Sequence, residues 1–140
     1  MKSILIPIDD SNDVEWAIKH VAEAYRQQPL RVFLLNVQLP LSRHVSRFIN
    51  NEDIDDFHRE NGMRALQPLI QKLDEAGIVH TDRVVVGHKA ESIAQFAREN
   101  RCHQIVLPKG RGMFHNLGSV GSQLRHLIGA ENTCDISEVY

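Results

Sequence analysis

The sequence contains no long apolar run, since no stretch approaches the roughly 18–20 residues that a membrane-spanning helix needs. It has two cysteines, Cys102 and Cys134, whose wide separation is typical of free thiols in a reduced compartment. Neither sign of charge dominates, because 16 Lys and Arg face 18 Asp and Glu for a net charge of −2. These absences argue against a membrane protein, a disulfide-rich scaffold and a nucleic-acid binder that relies on a basic surface. The apolar start before Asp9 is too short for a secretory signal, so we expect a cytoplasmic protein.

Signatures of catalysis and of metal binding are also missing. No Gly-x-Ser-x-Gly nucleophile motif occurs, and the eight histidines include no pair at the i, i+4 spacing of a zinc helix. Asp9 and Asp10 resemble the acidic pair of a phosphorylation-receiver domain, but the third predicted strand runs into His88 without a carboxylate. We therefore predict no catalytic residue and no metal ligand.

What the sequence does contain is a repeated alternation of short β-branched runs with helical periodicity. Its 140 residues, 42% hydrophobic and 24% charged, suit one globular domain over residues 1–140. The apolar spacing predicts strands over 3–8, 31–37, 81–87 and 104–107, and helices over 14–28, 52–76, 90–101 and 119–128. This alternation predicts an open parallel sheet with helices on both faces, a Rossmann-like α/β fold. Residues 133–140 alternate apolar and polar side chains, and the sequence leaves open whether 130–140 forms an ordered, half-exposed strand.

The same periodicity predicts which side chains face the core. The helix over 52–76 is expected to turn Phe57 inward with its other apolar residues, and the last helix to turn Leu127 inward. The segment over 38–51 is expected to be a polar linker. Most of the histidines, His58 among them, are expected to be solvated or locally hydrogen-bonded.

Polar and glycine-rich stretches follow the predicted strands at their carboxyl ends, where ligands bind in sheets of this kind. These stretches are 7–10, 36–38, 87–89 and 109–112, with Gly118 and Ser119 beyond the last. Glycines allow backbone amides to approach an anion, a helix that opens at Ser119 attracts phosphate, and Lys109 and Arg111 add positive charge. The pattern predicts an anion site. The open alternative is a glycine-containing turn followed by an N-cap serine that binds no ligand, which has the same sequence pattern.

Several of these stretches resemble the universal stress protein family. The matching segments are Ile4–Ser11 (ILIPIDDS), Leu34–Val37 (LLNV), Val86-Gly87 with Ala90–Ile93 (AESI), and Gln104–Leu107 (QIVL) followed by Arg111-Gly112 and Gly118–Val120. They occur in the family's order over essentially the whole chain. The resemblance implies a five-stranded parallel α/β sandwich of the adenine nucleotide α-hydrolase-like type. It also implies a homodimer that acts in stress resistance and signalling through protein partners the sequence does not identify.

The resemblance further implies a site for ATP or AMP, with Mg²⁺ carried by the nucleotide and at most slow, incidental ATP hydrolysis. If the family's binding residues are transferred to this sequence, Asp9 would contact the adenine or ribose end of the nucleotide. Capping the first helix is an equally open role for Asp9. Pro7 and Ile8 would shape the wall beside Asp9, and Val37 would contact the base through its backbone. The phosphates would meet the last loop and the start of the last helix: Lys109, Gly110, Arg111, Gly112, Gly118, Ser119 and Val120.

Two departures from the family pattern concern this phosphate loop. The family's Gly-x2-Gly-x9-Gly-Ser/Thr motif has its first glycine replaced by Lys109, and only five residues separate Gly112 from Gly118. Lys109 either supplies a point charge to a phosphate or crowds the site that a glycine leaves open. We therefore expect weaker nucleotide binding, or a preference for AMP over ATP. The alternative is a dimeric interaction module of the same family that binds no nucleotide.

Overall fold

The computed structural model of the chain describes residues 1–9, 14–108, 117–129 and 134–139. They form one five-stranded sheet in which every neighbouring pair of strands is parallel. The strands are β1 (Lys2–Pro7), β2 (Leu30–Gln38), β3 (His80–Val86), β4 (Gln104–Pro108) and β5 (Asp135–Val139). Their order across the sheet is β3-β2-β1-β4-β5. The strands β2 and β3 lie on one side of β1, and β4 and β5 lie on its other side, so the strand order reverses between β1 and β4. The predicted open parallel sheet is confirmed.

The helices connect these strands by crossovers. They are α1 (Glu15–Gln27), α2 (Arg43–Ser46), α3 (Asn51–Glu75), α4 (Lys89–Glu99) and α5 (Leu117–Ile128). Because parallel crossovers are right-handed, the two connections that run from β1 to β3 lie on one face and the two that run from β3 to β5 lie on the other. The packing agrees, since α1 contacts α3 and α4 contacts α5.

The central strands owe their position to their composition. Ile4, Leu5 and Ile6 of β1 and Leu34 and Leu35 of β2 have no exposed surface, as expected for strands covered on both faces. The edge strand β5 is half-buried apart from Asp135, which is exposed, and it carries Ile136 and Val139 among polar side chains. It pairs along its whole length with β4, so the C-terminal segment that the sequence left open contains an ordered strand.

Several local expectations are wrong. The segment predicted as a linker begins with the last residue of β2 and contains the short helix α2. Phe57 is 45% exposed because this part of α3 borders a cavity rather than the sheet. Leu127 is 39% exposed because Leu124 and Ile128, one turn apart, form the buried line of α5.

The thiols agree with the expectation of free cysteines. Neither cysteine forms a disulfide, and Cys102 is buried while Cys134 is half-buried. Burial, with a smaller contribution from Cys134, raises the pKa of the Cys102 thiol to about 12. Cys102 is therefore a protonated core side chain at neutral pH.

The packing of α3 on β3 depends on a glycine. A Cβ atom placed on Gly62 would collide with both γ-methyl groups of Val84 in β3. The absence of a side chain at position 62 therefore lets the helix lie directly on the strand.

We predict that Gly62→Ala destabilises the protein by up to about 2 kcal/mol, measured by urea unfolding. Overpacking against Val84 costs about 1–3 kcal/mol, which exceeds the gain of up to about 1 kcal/mol from the higher helix propensity of alanine. Glu60→Ala on the exposed side of the same helix is the control, and we expect it to change stability by less than about 0.5 kcal/mol. A stability gain for Gly62→Ala would contradict the packing described here.

A charged cluster joins the far end of α3 to the start of β3. Nε2 of His80 lies 2.7 Å from Asp74 Oδ1 and its Nδ1 lies 2.6 Å from Asp82 Oδ1, while the side chain is 9% exposed. Burial lowers the pKa of His80, but the hydrogen bonds to Asp74 and Asp82 and the charges of both carboxylates outweigh burial, so the pKa is raised. Both ring nitrogens then donate, which is the hydrogen-bonding pattern of an imidazolium.

Because the pKa of His80 is higher in the folded state, its stabilising effect is complete below the unfolded pKa of about 6.5 and is lost as pH rises through the folded pKa. We predict that the difference in unfolding free energy between wild type and His80→Gln is largest near pH 6 and shrinks towards about pH 9. Urea unfolding across this range measures it, with exposed His126→Gln as the control. A difference that grows with pH would show that His80 is neutral in the fold.

Candidate functional site

A cavity of about 630 Å³ opens at the carboxyl ends of β1 and β2. Its floor comes from the ends of the two strands, and its walls come from α3, the start of α4 and Val120 of α5. The strands bring their ends together because their register runs from Lys2↔Leu30 to Pro7↔Leu35 without a break. This position, beside the reversal of strand order at β1, is where open α/β sheets bind ligands.

Five of the residues predicted from the sequence line this cavity together. They are Pro7, Ile8, Asp9, Val37 and Val120. They come from three separate parts of the chain, so their convergence is a property of the fold. The N-cap residue of α1 is Val14, so Asp9 does not occupy the N-cap position of the first helix.

For the remaining residues predicted to bind the phosphates, the structure gives only part of the positions. Gly118 and Ser119 lie in the first turn of α5, immediately before Val120. The stretch Lys109, Gly110, Arg111 and Gly112 lies outside the described residues. The roles of these residues in phosphate binding therefore stay predictions.

The ends of β1 and β2 are joined by buried polar groups. Ile8 donates its backbone N–H to the carbonyl of Leu35 at 2.8 Å, which extends the pairing past β1. The side chain of Asn36, 3% exposed, donates from Nδ2 to the carbonyl of Ile8 at 2.8 Å. Asn36 Oδ1 accepts a hydrogen bond of 2.7 Å from Gln38 Nε2. These bonds hold the two strand ends in one orientation.

One face of α3 supplies cavity residues that the sequence did not reveal. Phe57, His58, Asn61 and Arg64 all line the cavity, and positions 57, 61 and 64 are spaced by one helical turn each. His58 is 3% exposed and its ring lies edge-on to Phe57 at 5.4 Å. Of the two environments expected for most histidines, solvated or locally hydrogen-bonded, His58 is not in the solvated one. The helical spacing of an aromatic, an amide and a cation was the available signal, but polar residues on a long helix normally face solvent.

His58 is also the least satisfied polar side chain of the cavity. Its Nδ1 lies 3.4 Å from Gln38 Oε1. Its Nε2 is buried, and no residue in the described part of the chain forms a hydrogen bond with it.

The cavity combines an apolar wall with charged groups. Asp9 contributes one negative charge, whereas Arg64 and Lys89 contribute two positive charges. Arg64 Nη1 donates to Asn61 Oδ1 at 3.1 Å, and Lys89 is the first residue of α4, where the helix dipole also favours an anion. The site can therefore hold a ligand that has an apolar planar part and an anionic part.

Two other classes of site were sought in the described residues. Across residues 1–9, 14–108, 117–129 and 134–139, no three His, Cys, Asp or Glu side chains are placed to hold a metal ion. No helix in those same ranges is long and apolar enough to cross a membrane.

Comparison with known proteins decides the family. The model of the universal stress protein family matches residues 1–128. The chain belongs to this family. Among curated proteins, none matches the sequence significantly.

Solved structures of universal stress proteins share the fold. One from Burkholderia pseudomallei has 22% identity and a TM-score of 0.70, with 98% of this chain and 94% of that chain covered. One from Archaeoglobus fulgidus, in complex with dAMP, has 17% identity and a TM-score of 0.65, with 100% and 98% covered. One from Arabidopsis thaliana, with AMP bound, has 17% identity and a TM-score of 0.66, with 99% and 92% covered. At these identities the likeness shows the fold alone.

The buried amide of Asn36 is expected to contribute strongly to stability. We predict that Asn36→Ala lowers the unfolding free energy by about 1–3 kcal/mol, because the Ile8 carbonyl and the Gln38 amide both lose a buried partner. Urea unfolding measures the loss. Asn61→Ala, which removes an exposed hydrogen bond at the rim, is the control and should cost at most about 0.5 kcal/mol. Equal losses for the two variants would contradict the role given to Asn36.

Proposed function

We propose that this universal stress protein binds an adenine mononucleotide in the cavity above β1 and β2 and acts as a binding protein rather than an enzyme. The observation that carries the proposal is the convergence of Pro7, Ile8, Asp9, Val37 and Val120 on one cavity. These are positions that the likeness to the family assigns to the nucleotide, and their side chains border one shared cavity.

The chemistry of the cavity suits such a ligand. Its volume of about 630 Å³ falls in the range of roughly 300–1,000 Å³ that small-molecule sites occupy. Ile8 and Val37 provide apolar surface for a base, and Arg64 and Lys89 provide cations for a phosphate. Two family members of this fold are complexes with dAMP and AMP, which supports a nucleotide of this size. Mg²⁺ would enter with the nucleotide.

A second candidate function is the interaction module that binds no nucleotide. Large apolar side chains are exposed around the connection from β2 to α3, including Phe48 at 73%, Leu39 at 59% and Val45 at 45%. Arg47 lies over the Phe48 ring at 4.8 Å from its centroid. Exposed apolar groups beside cations are common at protein interfaces. The homodimer implied by the family likeness remains part of either proposal.

Titration calorimetry with AMP and with Mg-ATP tests the nucleotide proposal, after the purified protein has been checked for bound nucleotide. We expect micromolar AMP binding, about −8 kcal/mol, and weaker ATP binding because the phosphate loop is short. Asp9→Ala should weaken AMP binding by about tenfold or more. Asp55→Ala, the same change on the exposed face of α3, should leave it unaltered.

The outcomes separate the two candidates. No heat and no co-purified nucleotide would contradict nucleotide binding and favour the interaction module. ATP binding as tight as AMP binding would contradict only the argument from loop length.

A further inference from the structure

Gln38 is the last residue of β2, and its half-buried side chain lines the cavity. Its carboxamide belongs to a chain of side-chain hydrogen bonds. Gln38 Nε2 lies 2.7 Å from Asn36 Oδ1, and Gln38 Oε1 lies 3.4 Å from His58 Nδ1. The chain ends on the backbone, where Asn36 Nδ2 donates to the Ile8 carbonyl.

The direction of every bond in this chain follows from its backbone end. The carbonyl oxygen of Ile8 can only accept, so Asn36 must present its NH₂ group to Ile8 and its oxygen to Gln38. Gln38 must then present its NH₂ group to Asn36 and its oxygen to His58. His58 donates from Nδ1. The contact with Asn36 therefore fixes the orientation of the Gln38 amide, because turning the amide over would place its oxygen against Asn36 Oδ1.

A carboxamide has two N–H donors and two acceptor lone pairs on its oxygen. The chain of bonds uses one donor and one lone pair of Gln38. One donor and one lone pair remain, and no other side-chain hydrogen bond to Gln38 is formed within the described ranges. Asn61, a third amide that lines the cavity beside Asn36 and Gln38, has a single hydrogen bond, to the Arg64 side chain, among the described residues, so its orientation is less constrained.

We propose that Gln38 selects adenine over other purines by pairing with the 6-amino group and N7 of the base, an inference that rests on the proposed nucleotide binding. A glutamine amide matches this edge of adenine, because its oxygen accepts from the amino group while its N–H donates to N7. Hypoxanthine and guanine carry a carbonyl at position 6, which would face the Gln38 oxygen with a second acceptor. Turning the amide over would not remove this clash, because O6 and N7 of these bases both accept, and it would also place the Gln38 oxygen against Asn36 Oδ1.

Three nucleotides test the proposal by titration calorimetry. AMP carries both groups, IMP has a carbonyl in place of the amino group, and 7-deaza-AMP lacks N7. The wild-type protein should bind AMP roughly 5- to 150-fold more tightly than IMP, the discrimination typical of a bidentate pair. It should bind AMP about 2- to 10-fold more tightly than 7-deaza-AMP, which loses one hydrogen bond.

Two substitutions of Gln38 and a matched control complete the design. Gln38→Leu should bring the affinities for AMP and IMP within about twofold of each other, whereas the same change at Gln71, exposed on α3, should keep the wild-type ratio. Gln38→Glu preserves size and keeps an acceptor for the amino group, but it has no donor for N7 and none for Asn36 Oδ1. It should therefore remove the preference for AMP over 7-deaza-AMP. Circular dichroism checks that each variant is folded.

The possible results distinguish this inference from the proposed function. A wild-type protein that binds AMP and IMP equally, or a folded Gln38→Leu variant that keeps the wild-type ratio, would overturn the role of Gln38 and leave nucleotide binding intact. A wild-type protein that binds none of the three nucleotides would overturn both.

Discussion

One buried amide joins the two central strands at the level where both end. Asn36 lies near the end of β2, and its side chain reaches the carbonyl of Ile8, the first residue beyond β1. A buried polar group without a partner costs about 1–3 kcal/mol, so the backbone beyond β1 has little freedom to move away from this contact. The cavity floor depends on the contact, because Pro7, Ile8 and Asp9 line it from one side and the end of β2 lines it from the other.

The sheet and the helices supply different chemical groups to the cavity. The strand ends provide apolar surface and the amides of Asn36 and Gln38, whereas the helices provide the cations Arg64 and Lys89 together with further apolar surface. A polar network inside a site is useful when every member has a fixed partner, because the groups that remain are then held in one orientation. Gln38 meets this condition through Asn36 and His58. In the proposed complex, the end of β2 carries the contact that selects the base, and the helices carry the cations that attract the phosphate.

The sequence was most informative where one physical constraint dominates. Strands covered on both faces must be apolar along their length, so β1 and β2 were predictable within a residue or two. Parallel strands end at the same edge of a sheet, which is why the stretches 7–10 and 36–38 were expected to lie together, and the resemblance to the family then singled out Pro7, Ile8, Asp9 and Val37 within them. The cavity wall formed by α3 was not predictable. By residue type, His58 and Arg64 would be expected to face solvent and Phe57 would be expected to face the core, so nothing in the sequence indicated that they line a shared cavity. Only the three-dimensional structure shows that a cavity adjoins this part of the helix.

The contact between Gly62 and Val84 has a consequence for the shape of the cavity. Gly62 lies between His58 and Arg64 on α3, within the stretch of helix that forms the cavity wall. The distance from this wall to the strand ends is set by how closely the helix approaches the sheet at position 62. A side chain there would force either Val84 or the helix to shift, and a shift of the helix would change this distance. The space available to a ligand is therefore determined in part by the absence of a Cβ atom at position 62.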